Sequence, residues 1–97
     1  GGGGVTTIMP LICSFYGVMI RMYFFDVDQH HMPHIHAQYQ SEHAQFAIES
    51  GELLAGGLPK SQTRLVQAWI EIRRDELKAA WEKAASGVLP GKIAPLS

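Results

Sequence analysis

Ninety-seven residues make one compact domain and are too few for two, since domains cluster around ~100 to 150 residues. A composition of 46% hydrophobic and 18% charged residues excludes a disordered tail or a fibrous repeat. Eight Lys+Arg against nine Asp+Glu leave a formal charge of −1, so no global field draws the chain to nucleic acid or anionic lipid, and only a local patch is left for such contacts.

The chain opens Gly1-Gly2-Gly3-Gly4, with maximal backbone entropy and no side chains to bury, and Met9-Pro10 resembles a natural start. Residues 1–8 are therefore read as a tag or linker remnant, and residues 9–97 as a single α+β domain. The apolar stretch from Met9 to Phe25 lacks a basic flank and a small-residue cleavage site. It is broken by Ser14, Gly17 and Arg21, short of the ~20 apolar residues of a membrane span. Neither secretion nor membrane insertion is expected. The lone Cys13 cannot close an intrachain disulfide, which suits a reducing compartment and a cytoplasmic address. No partner that would activate its thiolate is visible, so it reads as a small strand residue.

Leu11 to Phe25 is rich in β-branched and aromatic residues around Tyr16-Gly17, which predicts two strands and a tight turn. In the second strand Val18, Ile20, Met22 and Phe24 share one face; Met19, Arg21, Tyr23 and Phe25 share the other, wetter one. Asp26 to Pro33 has no periodicity and reads as a loop. Residues 34–40 and 43–49 alternate, and a two-residue turn at Ser41-Glu42 would pair Tyr39 with Ala44, Ala37 with Phe46 and Ile35 with Ile48. The same register sets His36 opposite Ala47 and His34 opposite Glu49. Ser50-Gly51-Glu52 makes a further turn, and Leu53 to Ala55 a short edge strand.

From Pro59 the period becomes helical, with Val66, Ile70, Leu77, Trp81 and Ala84 on one stripe that Leu65, Trp69 and Ala80 widen. Trp69 and Trp81 are thus core residues. Lys78 can pair with Glu82, Gly87 is a stop, and the run can bend at Arg73-Arg74-Asp75, where Asp75 would cap a second helix. Arg73-Arg74 reads as a solvated helix turn. Gly91 to Ser97 is an extended tail whose Ile93 and Leu96 can pack back. The fold expected is an antiparallel meander sheet of four or five strands, with one long or two tandem C-terminal helices packed on one face.

All five histidines lie between residues 30 and 43, most of them in the run from Asp26 to His36. On a strand, residues i and i+2 point the same way about 6.5 to 7 Å apart. His34 and His36 could then direct two nitrogens at one ion, such as zinc, at about 2.0 to 2.1 Å. A third ligand could be His31, His30, Asp26 or Asp28, and Glu49 could orient a ring or act as a base. Metal-free acid–base chemistry is the alternative, because imidazole titrates near neutrality. A solvated sheet face or a partner-binding surface is the plain alternative to both. Arg21 and Tyr23 share the face of His34 and His36 if the hairpins are neighbours, which would suit phosphate or RNA; otherwise Tyr23 and Phe25 cover the outer side of the sheet or a dimer contact.

Met9-Pro10-x-Ile12-x-x-Phe15-x-Gly17, Ile20-Arg21-Met22-Tyr23 and Pro33-His34-Ile35-His36-Ala37-x-Tyr39 together resemble the bacterial family of domain of unknown function 4160. Leu58-Pro59, Leu65-Val66, Trp69, Glu76-Leu77, Trp81 and Ile93-x-Pro95-Leu96 resemble its helical half. The resemblance implies no assigned activity. It implies a gene often placed beside that of another small family, as in toxin–antitoxin modules, and it carries over Pro33, His34 and His36 alone. The loop from Asp26 to Met32 is longer than in many relatives, and Met32 stands where a second proline is common.

Two functions are therefore weighed. One is a cytosolic protein-interaction component of a toxin–antitoxin-like pair, binding a protein partner or a second copy of itself. The other is a small hydrolase, ribonuclease-like, with catalytic residues His34, His36, Arg21 and Glu49 and, if metal-dependent, ligands His34, His36 and His31. A structural role, with histidines that are merely solvated, is the alternative to both functions.

Overall fold

A computed structural model of the chain describes residues 9–23 and 32–96. Five strands come first, β1 (Leu11–Phe15), β2 (Val18–Arg21), β3 (His34–Tyr39), β4 (Glu42–Ala47) and β5 (Leu53–Gly56), followed by helices α1 (Lys60–Ile72) and α2 (Arg74–Ala85). The strands pair antiparallel in chain order, an open meander of the expected α+β class with the helices in tandem. Among the described residues no helix is long and apolar enough to cross a membrane.

Tyr16 and Gly17 turn the first hairpin with φ of 49° and 79°, so that Phe15 pairs with Val18. Two positive φ angles give a two-residue loop the twist of its flanking strands. The second hairpin differs from the expected one. Its turn is Gln40-Ser41, with Gln40 at φ 55°, and Tyr39 pairs with Glu42, Ala37 with Ala44, Ile35 with Phe46 and His34 with Ala47. The earlier turn lets the ladder run on to Pro33, whose carbonyl accepts from the Ile48 amide at 3.0 Å. It also leaves room for a turn closed by the Gly51 amide on the Ala47 carbonyl at 2.8 Å. The whole slip is two residues. Side chains alternate with period two, so Ile35, Ala37, Ala44, Phe46 and Ile48 still face the core.

The helical stripe divides where the sequence bends. Arg73, at φ −103° and ψ 19°, ends α1 and opens α2, so Asp75 falls in the first turn of α2, where its charge suits the helix dipole, and does not cap it. Lys78 reaches Glu49 at 3.2 Å in place of Glu82. At the far end the Gly87 amide bonds to Ala84 O and the Val88 amide to Lys83 O, a Schellman closure at the expected stop.

One core joins the helices to one face of the sheet. Val18, Ile20, Met22, Ile35 and Phe46 meet Val66, Trp69, Ile70, Leu77, Ala80 and Ala84 there. The Trp69 ring lies 5.5 Å from that of Phe15, and its Nε1 donates to Ala94 O at 2.8 Å. The tail packs back as expected, with Ile93 buried and its amide bonded to Ile12 O at 2.8 Å. The other face carries Met19, Arg21, Gln38 and Gln45, each half-buried and outside the core that the described helices share with the sheet.

Candidate functional site

Register brings the polar residues of three strands side by side on that face. Arg21 of β2 pairs with His36 of β3, His36 with Gln45 of β4, and Gln45 with Ala55 of β5. A second row runs Met19, Gln38, His43. Because β5 contributes only Ala55 and Gly56, the surface dips into a concavity of about 280 Å³ beside these two rows. That is just below the range of ligand pockets, which run from about 300 Å³ upward. Among the described residues no carboxylate lines it. The Arg21 Nη1 donates to Met9 O at 3.3 Å, and no described carboxylate pairs with the guanidinium.

His34 and His36 project from the same side of β3, as the i, i+2 spacing predicts, with ring centroids 5.0 Å apart. Tyr23 meets His36 edge-on at 4.8 Å and His34 at 5.9 Å. Arg21, Tyr23, His34 and His36 are thus assembled as expected for neighbouring hairpins. His34 is buried, and its Nδ1 lies 2.7 Å from Met32 O. A carbonyl only accepts, so Nδ1 carries the proton in that bond. Trp81 of α2 stands 5.3 Å from the His34 ring. Sequence reasoning gave Trp81 to the core alone; it does pack there, half-buried, but it also backs the histidine pair. Nothing in a helical period reports that the last turns of α2 reach the end of β3.

The His36 Nε2 is buried and has no hydrogen-bond partner among the described residues. Burial first, and then neighbouring His34, lower its pKa to about 4, so the ring is neutral at pH 7. Its folded pKa lies below the ordinary 6.5, so the unfolded chain takes up the proton first. Stability should therefore fall as pH drops from about 6.5 to about 4 and level off below. For a half-buried ring the loss is discounted for solvent to about 1 to 2 kcal/mol. Urea titrations of wild type and His36→Gln at pH 7.5 and pH 4.5 check this: the variant should lose less on acidification.

Two expected participants are placed otherwise. Register sets Ala47, not Glu49, opposite His34. Glu49 lies beyond the end of β4, exposed and salt-bridged to Lys78. A shift of two residues in the ladder removes it as base or orienter for His34. The metal ligand His31, with its alternatives His30, Asp26 and Asp28, lies outside the described residues. Among those described, no group of three His, Cys, Asp or Glu is placed to hold a metal ion. His34 and His36 alone supply two of the four positions of a zinc shell. Cys13 is buried, and burial raises its thiol pKa, which fits an inert packing role.

Residues 17–82 match a family model described as Domain of unknown function (DUF4160). The match runs from the first hairpin turn through β2 to β5 and α1 into α2, and it includes Arg21, His34 and His36. No curated protein and no solved structure matches the chain.

Proposed function

The chain belongs to the family of domain of unknown function 4160, and from that premise and the free edge of its sheet we propose that it works by binding a partner protein, as one member of a toxin–antitoxin-like gene pair. The supporting observation is β5. It ends the strand order, and all four of its residues are exposed, with Leu53 at 41% and Leu54 at 42%. An edge strand presents a row of unpaired backbone donors and acceptors, and proteins usually guard such rows with lysine, proline or an inward charge. Leu53–Gly56 contains none of these, and only its four-residue length and the register shift against β4 blunt the edge. A partner's strand added there would bond to the backbone and cover both leucines. Placing the partner's gene next door follows the habit of the family's genes.

Co-expression with the product of the adjacent gene tests the reading. Wild type is expected to retain it through purification, and Leu53→Lys/Leu54→Lys to lose it while keeping the same circular dichroism. Equal retention by both proteins would overturn the edge-strand assignment.

A second reading, hydrolysis of RNA, is favoured by one observation: a neutral imidazole, one nitrogen of which has no partner among the described residues, paired across the ladder with Arg21. Here His34 and His36 exchange protons, or hold a zinc ion together with His31, and Arg21 contacts the anion. RNA cleavage by wild type, lost in His34→Ala and in His36→Ala, is its signature. Equal activity in all three removes it.

A further inference from the structure

The concavity beside the row of Arg21, His36 and Gln45 has β5 as one wall and carries its own chemistry. Its polar side chains are one cation and four neutral or titratable donors, Arg21, His36, Gln38, His43 and Gln45, with no described carboxylate among them. On a chain of net charge −1, such a lining selects an anion locally. The Arg21 fork has one nitrogen on a carbonyl and its remaining donors unengaged by any described side chain, and a guanidinium matches phosphate oxygens in a bidentate way.

The site is longer than an isolated oxyanion needs. From Arg21 the row crosses two strand spacings to Gln45, about 9 to 10 Å, which is the reach of a nucleotide from phosphate to base edge. At that end Gln45 brings an amide, which offers a donor and an acceptor to a base edge; Gln38 stands on the middle strand, its Nε2 bonded to Gln40 O at 3.1 Å. Ala55 and Gly56, next to Gln45 across the ladder, leave room for the base, while Met19 lines the Arg21 end.

We propose that this concavity is a nucleotide site, with Arg21 holding the phosphate and Gln45 facing the base. The assignment requires neither capture of a protein partner nor hydrolysis, and it shares Arg21 and His36 with the hydrolytic reading.

An amide-resolved NMR titration of the full chain tests it with three probes: inorganic phosphate, uridine 5′-monophosphate and a short oligouridine. The nucleotide is expected to shift Arg21, His36, Gln38 and Gln45 and to bind more tightly than phosphate. Affinity should fall about tenfold or more in Arg21→Gln, the scale of one lost charge-assisted contact. Arg21→Lys should recover part of it, Gln45→Ala should weaken the nucleotide but not phosphate, and Lys78→Gln on the helical side should change nothing. Oligouridine binding above the mononucleotide places the nucleotide in RNA; equal binding identifies a free nucleotide. Phosphate and nucleotide binding alike would overturn the base contact. No shifts at millimolar nucleotide, or shifts that persist in a folded Arg21→Gln protein, would overturn the site.

Discussion

Trp69→Ala is expected to cost about 3 to 5 kcal/mol, the usual price of removing a fully buried indole. Trp69 has no exposed surface, its ring contacts Phe15 of β1, and its Nε1 ties down the Ala94 carbonyl of the tail. Truncation therefore opens a cavity between helix and sheet and frees the tail that buries Ile93. A domain of this size has about 5 to 15 kcal/mol in all, so the variant should melt more than about 12 °C below wild type. Trp69→Phe separates the two contributions. It keeps a ring against Phe15 and gives up the hydrogen bond, a loss of about 1 kcal/mol beyond the change in volume. Thermal melts of the two variants check the difference; equal melting points would mean that the indole contributes through its hydrogen bond alone.

Gly56→Ala is expected to detach β5. Gly56 sits at φ 69°, which costs an L residue about 1 to 2 kcal/mol. A Cβ there would also overlap the His43 carbonyl oxygen and stand 3.2 Å from the Ala44 Cα, both of them backbone that cannot step aside. The strand must then move away from β4, with a total loss above about 2 kcal/mol. The edge proposed for the partner and one wall of the concavity go with it. Gly57→Ala is the control, since nothing lies within 4 Å of its Cβ position and its φ is not left-handed. It should change stability by less than about 0.5 kcal/mol. Amide exchange across β4 and β5 reads both variants; a Gly56→Ala protein with β5 protection intact would contradict the steric account.

The sheet was legible because its signals are local. Alternation at Ile35, Ala37, Phe46 and Ile48, the Tyr16-Gly17 turn and the change of period at Pro59 each report on a few neighbouring residues. The faces survived a two-residue error in register because period two is blind to such a slip. Glu49 did not survive it, since which residue stands opposite His34 depends on where the turn falls, and neither Gln40-Ser41 nor Ser41-Glu42 has the glycine or asparagine that fixes a turn. That Arg21 shares a face with His36 was readable once the hairpins were taken as neighbours; their direct pairing was not. The approach of Trp81 to His34 was not, because it joins residues far apart in the chain through the angle at which α2 crosses the sheet. Arg73 shows the same limit. It falls within the apolar stripe, and its buried Nε finds no partner among the described residues while its Nη1 bonds Glu76 at 3.2 Å. The sequence marked it as a solvated turn.

Hydrogen exchange of the β5 backbone, measured alone and in the complex with the adjacent gene's product, tests the central claim most directly. The β5 amides that point away from β4 should exchange fast in the isolated chain and gain strong protection in the complex, because the added strand would bond to that side of the backbone. A complex that protects only α1 and α2 and leaves β5 exchanging as before would contradict the claim that this protein binds through the edge of its sheet.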